Sequence, residues 1–328
     1  MKELRAGVVG AGHMGEYHVR VYAELMGIKL AAVCDVNKER ANEVANHYNT
    51  IAFNDYHHLF DKVDFVSISV PTCLHYKIAK DFLSAGIPVL LEKPMARTVE
   101  EGKELFHIAK EKGVVLHIGH VERFNAAVQE LKNIVENPML IETRRLGPYN
   151  PRVKDIGVVM DLMIHDIDII LNLVNSEIEK INITGASVYS EHEDLANLQM
   201  IFKSGCMANI TASRVTEHKI RTLAVTQKDA YIFLDYTDQD LHIHRQAASE
   251  YILTKEALRY KQESFIERIF VHKDNPLKLE ILHFIDSVIK KEKSNSEMSD
   301  LKSLSMALDV VEMLKKQKMI PAHNLCAG

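Results

Sequence analysis

Up to about residue 120 the chain switches repeatedly between two hydrophobic periods. Short apolar runs at 6–10, 30–35, 65–70, 88–92 and 114–119 read as strands buried on both faces, and the segments near 16–26, 38–48, 74–85 and 99–112 carry apolar residues at helical spacing. Strand alternating with helix predicts a parallel sheet covered on both faces, with ligands bound beyond the carboxyl ends of the strands. After Phe124 the texture changes. A short helix to Glu136, a strand near 139–146, a Gly147-Pro148-Tyr149-Asn150-Pro151 loop and a long helix over 158–174 lead into β-rich stretches at 178–189, 195–203, 206–215, 220–226, 230–235 and 240–245. Turn signals such as Lys203-Ser204-Gly205 separate these stretches, which predicts a mainly antiparallel sheet. Two helices follow, at about 275–292 and 299–317, joined by a polar link. The expected organisation is an α/β domain over residues 1–121 and an α+β domain over 122–328.

Polar residues with chemical potential fall where such a sheet would present a ligand. The first strand runs into Gly10-Ala11-Gly12-His13-Met14-Gly15 and then a helix. Gly10 suits a tight turn, Gly12 admits a pyrophosphate close to the backbone, and Gly15 lets helix and strand pack closely. The helix N-terminus then offers unpaired N–H groups to the phosphates. Asp35, twenty residues beyond Gly15 at the end of the second strand, fits a carboxylate that accepts both adenosine ribose hydroxyls and repels a 2′-phosphate, so NAD is expected. Lys38 and Arg40 follow closely and could soften that preference. Alternatively, Asp35 only starts a turn with Asn37.

Two further segments carry proton chemistry. Lys93, between Glu92 and Pro94 at the end of a buried strand, is delivered to the crevice expected for a nicotinamide, and the proline restricts its backbone. A desolvated ammonium there suits stabilisation of a developing alkoxide, although a surface lysine in a loop is the plainer reading. The helix around 160–174 is apolar nearly all round, and Asp161, His165, Asp168 and Asn172 lie at i, i+4, i+7 and i+11. This polar stripe either faces a substrate cleft or is a simple His165–Asp161 pair on a partly wet face.

Composition narrows the class. The chain has 328 residues, 47% of them hydrophobic and 26% charged, with a formal net charge of −5, which gives no reason to expect nucleic acid. No apolar stretch approaches the roughly 20 residues of a membrane-spanning helix. The four cysteines are scattered and an apolar strand stands where a signal peptide would, so a reducing cytoplasm is expected. The seventeen histidines come with no recognisable ligand spacing, and no metal site is expected.

The glycine loop, Glu92-Lys93-Pro94 and Asp161-x-x-x-His165-x-x-Asp168 together resemble the glucose–fructose oxidoreductase, inositol dehydrogenase and rhizopine catabolism (Gfo/Idh/MocA) family nearly end to end. The resemblance implies an N-terminal Rossmann domain with a parallel sheet, then an α+β domain with a large open, mainly antiparallel sheet through which homodimers or homotetramers form. It also implies that Lys93, Asp161 and His165 are catalytic, that Pro71, Thr72, His75 and Glu92 join Gly10, Gly12, His13, Met14, Gly15, Asp35 and Lys93 around the cofactor, and that NAD is that cofactor. Gly157-Val158-Val159 departs from the consecutive glycines many members place there.

A closer resemblance rests on His120-Val121-Glu122-Arg123-Phe124-Asn125, Arg144-Arg145-Leu146-Gly147-Pro148-Tyr149 and the segment from Asp155 to Asp168. These are similar to the branch containing UDP-N-acetylglucosamine 3-dehydrogenases. That implies a nucleotide sugar oxidised at a ring hydroxyl and a substrate set of Arg123, Asn125, Arg145, Tyr149, Arg152, Asp161 and His165. Arginines are suited to a diphosphate, and each is equally suited to a solvated surface. A dehydrogenase of a free sugar or inositol is the alternative within enzymes. A catalytically silent dinucleotide-binding regulator is the alternative outside them, and it would not need Lys93, Asp161 and His165.

Overall fold

The computed structural model describes residues 3–150, 156–253, 258–292, 296–317 and 320–321. In its first part, β1 (Leu4–Val9), α1 (His13–Glu24), β2 (Ile28–Cys34), α2 (Lys38–His47), β3 (Ile51–Phe53), β4 (Phe65–Ile68), α3 (Thr72–Ser84), β5 (Val89–Glu92), α4 (Val99–Lys112) and β6 (Leu116–Gly119) follow in order. The strands form one parallel sheet in the order β3-β2-β1-β4-β5-β6. β1 lies between β2 and β4, so the order reverses there, and the carboxyl ends of β1 and β4 frame the crevice in which such sheets bind ligands. Local chemistry sets the helix ends. Asn37 accepts hydrogen bonds from the Glu39 and Arg40 N–H groups at the start of α2, Thr98 accepts from Glu101 N at the start of α4, and Gly113 closes α4 at φ 64°. β3 has no counterpart in the sequence reading, because its three residues pair on one side only and Ile51 is exposed.

The chain continues through α5 (Ala126–Ile134), β7 (Leu140–Leu146), α6 (Ile164–Leu173), β8 (Ile178–Ser187), β9 (Leu195–Phe202), β10 (Met207–Ser213), β11 (Ile220–Gln227), β12 (Ala230–Asp235), β13 (Asp240–Leu253) and β14 (Leu258–Ile269). Then come α7 (Pro276–Lys290), α8 (Glu297–Lys316) and β15 (Ile320–Pro321). Among the described residues the second sheet has the order β14-β13-β12-β11-β7-β10-β9-β8-β15, with β7–β10 and β8–β15 parallel and the other pairs antiparallel. Strand alternation is strict at its centre: Ala208, Ile210 and Ala212 of β10 are fully buried, and Met207, Asn209 and Thr211 face outward. β13 and β14 outrun the expected stretch at 240–245, because their pairing with each other continues through residues that lack apolar alternation.

Two compact units result, Met1–Phe124 with Asn275–Ser305, and Asn125–Asp274 with Met306–Gly328. The boundary expected at 121/122 falls at 124/125, and a segment expected in the second domain returns to the first unit. One helix face accounts for the return. Leu277, Ile281, Phe284 and Ile285 of α7 join the apolar cluster of Ala6, Val8, Tyr22, Val33, Phe65 and Leu90, with Phe284 edge-on to Phe65 at 5.6 Å between ring centroids. Each such side chain contributes about 1.5–3 kcal/mol on burial. The entropy of closing a loop rises only slowly with its length, so the stripe prevails.

Candidate active site

The glycine loop of the first unit is built as a phosphate cradle. Gly10 has φ 94°, and a Cβ there would lie 2.1 Å from the Ser69 carbonyl oxygen. A Cβ on Gly15 would lie 1.7 Å from the Gly10 oxygen, so any side chain at either position would force the β1–α1 turn open. Gly12 differs: nothing lies within 4 Å of the position its Cβ would take. It is also the N-cap of α1 and gives no side-chain cap to the first N–H groups of the helix. That combination fits the pyrophosphate of a dinucleotide. His13 is exposed, with its ring 4.6 Å from that of Tyr17, and Met14 is half-buried beside it.

Asp35 makes the turn with Asn37 that the sequence allowed, and it also meets the glycine loop. Its Oδ2 accepts from Ala11 N at 2.7 Å, which ties the carboxylate to the glycine loop, while Oδ1 accepts from Asn37 N at 2.8 Å and shapes the turn into α2. Both oxygens retain lone pairs for ribose hydroxyls.

At the ends of β4 and β5 the sequence-derived residues divide by role. Pro71 is the N-cap of α3 and is exposed, and Thr72 opens the helix half-buried. His75 is buried and braces two loops, its Nδ1 2.8 Å from the Pro94 oxygen and its Nε2 2.8 Å from the Val70 oxygen. Burial holds its pKa below the ordinary value against the pull of those carbonyls. Glu92 is buried behind Lys93 at the end of a chain of contacts: Tyr22 Oη to Ser67 Oγ at 2.7 Å, Ser67 Oγ to His18 Nδ1 at 3.1 Å, and His18 Nε2 to Glu92 Oε1 at 2.9 Å. Burial alone would raise the Glu92 pKa; the His18 hydrogen bond and the charges around it overcome this and hold it low. Lys93 itself is half-buried and joined to Pro94 by a cis peptide bond. Arg123 is held by Asp300, Nη1 to Oδ1 at 2.7 Å, and Asp300 is fully buried.

The second unit carries the other expected residues. The helix expected over 158–174 is broken into a π-helical turn, Val159–Met163, and α6, with the Ile164 N–H reaching the Val159 oxygen five residues back. The wide turn carries Asp161, half-buried, and leads into His165, which is 9% exposed. Such turns insert a residue into a helix and recur at functional sites. The residues fixing this turn came from no sequence signal. The Glu193 carboxylate accepts from Val159 N at 3.2 Å and fills the space above Gly157, where a Cβ would come within 2.0 Å of it. The departure noted at Gly157-Val158-Val159 thus keeps the one glycine that this contact requires. Arg214 donates from Nη1 to the Ile156 oxygen at 3.0 Å and from Nε to Asp194 Oδ1 at 2.6 Å. Asp194 also accepts the N–H groups of Val188, Tyr189 and Ser190 through Oδ2. Burial raises its pKa, but these donors prevail and bring it down to about 2.

Two residues assigned to the substrate by resemblance have internal partners. Arg145 is 2% exposed, meets Asp166 through Nε and Nη2 at 2.9 and 3.0 Å, and lies over the Tyr236 ring at 4.7 Å. Asn125 caps α5 by accepting from Ala127 N and donates to the Tyr236 oxygen at 3.0 Å. The strand period explains the first case, because Ile141, Thr143 and Arg145 share the inner face of β7 and Arg144 lies on the outer one. Tyr149 is half-buried, its ring 5.1 Å from that of Tyr189 and under the Arg214 guanidinium. Arg152 lies outside the described residues. No helix among the described residues is long and apolar enough to cross a membrane.

A Rossmann sheet with an open glycine cradle is built for a dinucleotide, and comparison with known proteins identifies the class as NAD-binding oxidoreductases. Residues 4–120 match the oxidoreductase family with the NAD-binding Rossmann fold, and residues 118–232 match the Gfo/Idh/MocA C-terminal domain. The UDP-N-acetylglucosamine 3-dehydrogenase of Acidithiobacillus ferrooxidans is 35% identical over 286 residues, covering 83% of this chain and 91% of that protein. Its solved structure superposes with a TM-score of 0.85 at 33% identity, covering 96% of this chain and 99% of the other. The inositol 2-dehydrogenase of Salmonella typhimurium is 30% identical over 192 residues, covering 55% of this chain and 57% of that protein. The chain belongs to the Gfo/Idh/MocA oxidoreductase family, and it is an NAD-dependent dehydrogenase acting on CH–OH groups.

Proposed function

We propose that this dehydrogenase oxidises a ring hydroxyl of a nucleotide sugar, with UDP-N-acetylglucosamine going to its 3-keto form. The observation that carries the reading is extent. The likeness to the UDP-N-acetylglucosamine 3-dehydrogenase runs through both units and nearly the whole of both chains, whereas the likeness to the inositol 2-dehydrogenase covers little more than half of each.

NAD, held by the glycine loop and Asp35, would supply the acceptor for the hydride of the carbinol carbon. The protein's part is the proton. His165 accepts the hydroxyl proton, since an imidazole exchanges protons near neutrality, while the Lys93 ammonium stabilises the oxygen as it becomes negative and Asp161 orients the hydroxyl or the imidazole. Gly10, Gly12, His13, Met14 and Gly15 form the pyrophosphate loop, Asp35 holds the ribose, and Pro71, Thr72, His75, Glu92 and Lys93 border the nicotinamide end. Arg123, Tyr149 and Arg152 are assigned to the nucleotide. Arg145 and Asn125 serve substrate binding indirectly, by fixing α6 and the start of α5.

Lys93→Ala and His165→Ala are each expected to lower single-turnover reduction of NAD by about 10²–10⁴ while NAD binding persists. Near-normal rates in both would remove the assignment. A panel of UDP-sugars and free polyols, followed by absorbance of the reduced cofactor, tests the substrate. Turnover of free inositols alone would favour the narrower relative, and no turnover with intact NAD binding would favour a silent regulator.

Assembly as a homodimer or homotetramer through the second sheet belongs to the same reading. Its outward face carries a hydrogen-bonded ladder of Asn182 with Gln199, Gln199 with Asn209, and Asn197 with Thr211 beside the exposed Met207 and Tyr231, a surface suited to a second copy. Light scattering that gives the mass of one chain would exclude it. A cytoplasmic location is consistent with free Cys34, Cys73 and Cys206.

A further inference from the structure

Two cations follow Asp35 closely, Lys38 and Arg40, and all three side-chain nitrogens of Arg40 are engaged within the loop region. Nε donates to the Ala11 oxygen at 2.8 Å, Nη1 donates to Glu43 Oε2 at 2.8 Å, and Nη2 donates to Glu16 Oε2. The two peptide groups flanking the Ala11 Cα are therefore both held, the Ala11 N–H by Asp35 and the Ala11 oxygen by Arg40. Glu16 lies in the first turn of α1 and Glu43 on α2 one turn beyond Arg40, so the guanidinium is clamped between two helices by opposite charges. None of this is deeply buried: the side chains of Arg40, Glu16 and Glu43 are 30%, 38% and 69% exposed.

An arginine near this position is the usual partner of a 2′-phosphate when the cofactor is NADP, because its planar fork binds phosphate through two donors at once. Here three of its five N–H donors are committed within the protein, one on each nitrogen. We propose that Glu16 and Glu43 are specificity-determining residues: by neutralising and holding Arg40 they turn a cation that would recruit NADP into an anchor for the glycine loop. They also place two further carboxylates beside Asp35 against a 2′-phosphate. The inference rests on the NAD reading of the glycine loop and deepens it. It accounts for how a chain with Lys38 and Arg40 directly behind Asp35 keeps its preference.

The test is equilibrium binding of NAD and NADP by calorimetry, without a sugar substrate, on wild type, Glu43→Gln, Glu16→Gln/Glu43→Gln and Arg40→Ala. Releasing a guanidinium and removing two negative charges should tighten NADP by about fivefold or more at low ionic strength, with a smaller effect on NAD and a smaller gain in high salt. Arg40→Ala should weaken NAD by loosening the loop at Ala11, and should not weaken NADP more than NAD. An unchanged ratio of the two affinities in the double variant would overturn the proposal, as would a selective loss of NADP in Arg40→Ala. Glu43→Gln alters only an exposed position, so it gives an answer should the double variant unfold. A wild type that binds NADP more tightly than NAD would overturn the NAD reading itself, and that result is visible before any variant is measured.

Discussion

In the second unit Arg145 and Asp166 meet through two hydrogen bonds at 2.9 and 3.0 Å, almost wholly buried, with the Tyr236 hydroxyl 3.2 Å from the same carboxylate. In the first unit Glu280 Oε1 and His117 Nε2 approach only to 3.7 Å, and those atoms have no hydrogen-bond partner among the described residues. The two pairs handle buried charge in opposite ways. Removing two ions from water is repaid only when geometry and hydrogen bonding are good, and the arginine fork on a carboxylate supplies both. Glu280 has no such partner. Burial, reinforced by the negative charge of Glu92, pushes its pKa well above the ordinary value and so favours the uncharged acid. Burial likewise brings His117 down to about 4, with the nearby Arg123 adding to the effect and Asp300 opposing it, so the imidazole is neutral too. The buried carboxylate is paired where it fixes the helix that bears His165, and left without a hydrogen-bonding partner among the described residues where packing against the Rossmann sheet is at stake.

The sharpest way to break this comparison is to remove the charge where it is kept. Asp166→Asn leaves Arg145 buried against an amide that can accept one of its hydrogen bonds but must turn an N–H toward the other. The cost should be about 3–5 kcal/mol in urea unfolding, the usual penalty for stranding one member of a buried pair. NAD affinity should hold while turnover falls, because the cradle lies in the other unit and α6 carries His165. A loss below about 1 kcal/mol would mean that the pair does not organise α6.

A smaller effect is expected from pH. His117 has a folded pKa of about 4 against roughly 6.5 in the unfolded chain. Between those values the unfolded state binds more protons, so the stabilisation from a neutral His117 is complete above pH 6.5 and is lost as pH falls toward 4 and through it, by up to about 3 kcal/mol. His117→Gln should lose less stability than wild type between pH 7 and pH 4.5. Equal losses would show that His117 does not carry the acid sensitivity. Asp194, at about 2, keeps its contribution throughout this range and surrenders it only in stronger acid.

What the sequence revealed and what it hid follow the same division. The glycine loop, Asp35 and Glu92-Lys93-Pro94 were legible because each is a local pattern at the end of a strand, where a parallel sheet presents ligands. The π-helical turn was not legible: Val159, Met160, Leu162 and Met163 are apolar on every side, so an inserted residue disturbs no period. Glu193, Arg214 and Asp194 act across distant segments that only the fold brings together. The two arginines of β7 were separable in principle by strand period, but Leu140 and Ile141 both being apolar leaves the phase ambiguous. Glu280 did leave a trace, a single carboxyl on the Leu277–Ile281–Phe284 stripe of α7, although the period of that stripe says nothing of which unit receives it.

Glu280→Gln is the mildest substitution and the most discriminating. A glutamine has nearly the shape of a protonated glutamic acid, so toward the acid end of the range, where the raised pKa favours the protonated form in the folded chain, stability should change by about 1 kcal/mol or less. The sign then depends on pH. A folded pKa raised above the unfolded value means that the contribution of Glu280 is complete below the ordinary carboxylate range and is lost as pH rises through the folded value. Wild type therefore becomes progressively less stable relative to the glutamine variant from pH 5 to pH 8, and the variant should be the more stable of the two at the upper end. Urea titrations of both proteins across that range measure the difference directly. A constant offset would mean that Glu280 is charged in the folded protein and that His117 is its counter-ion, which would make the two units alike in how they bury charge.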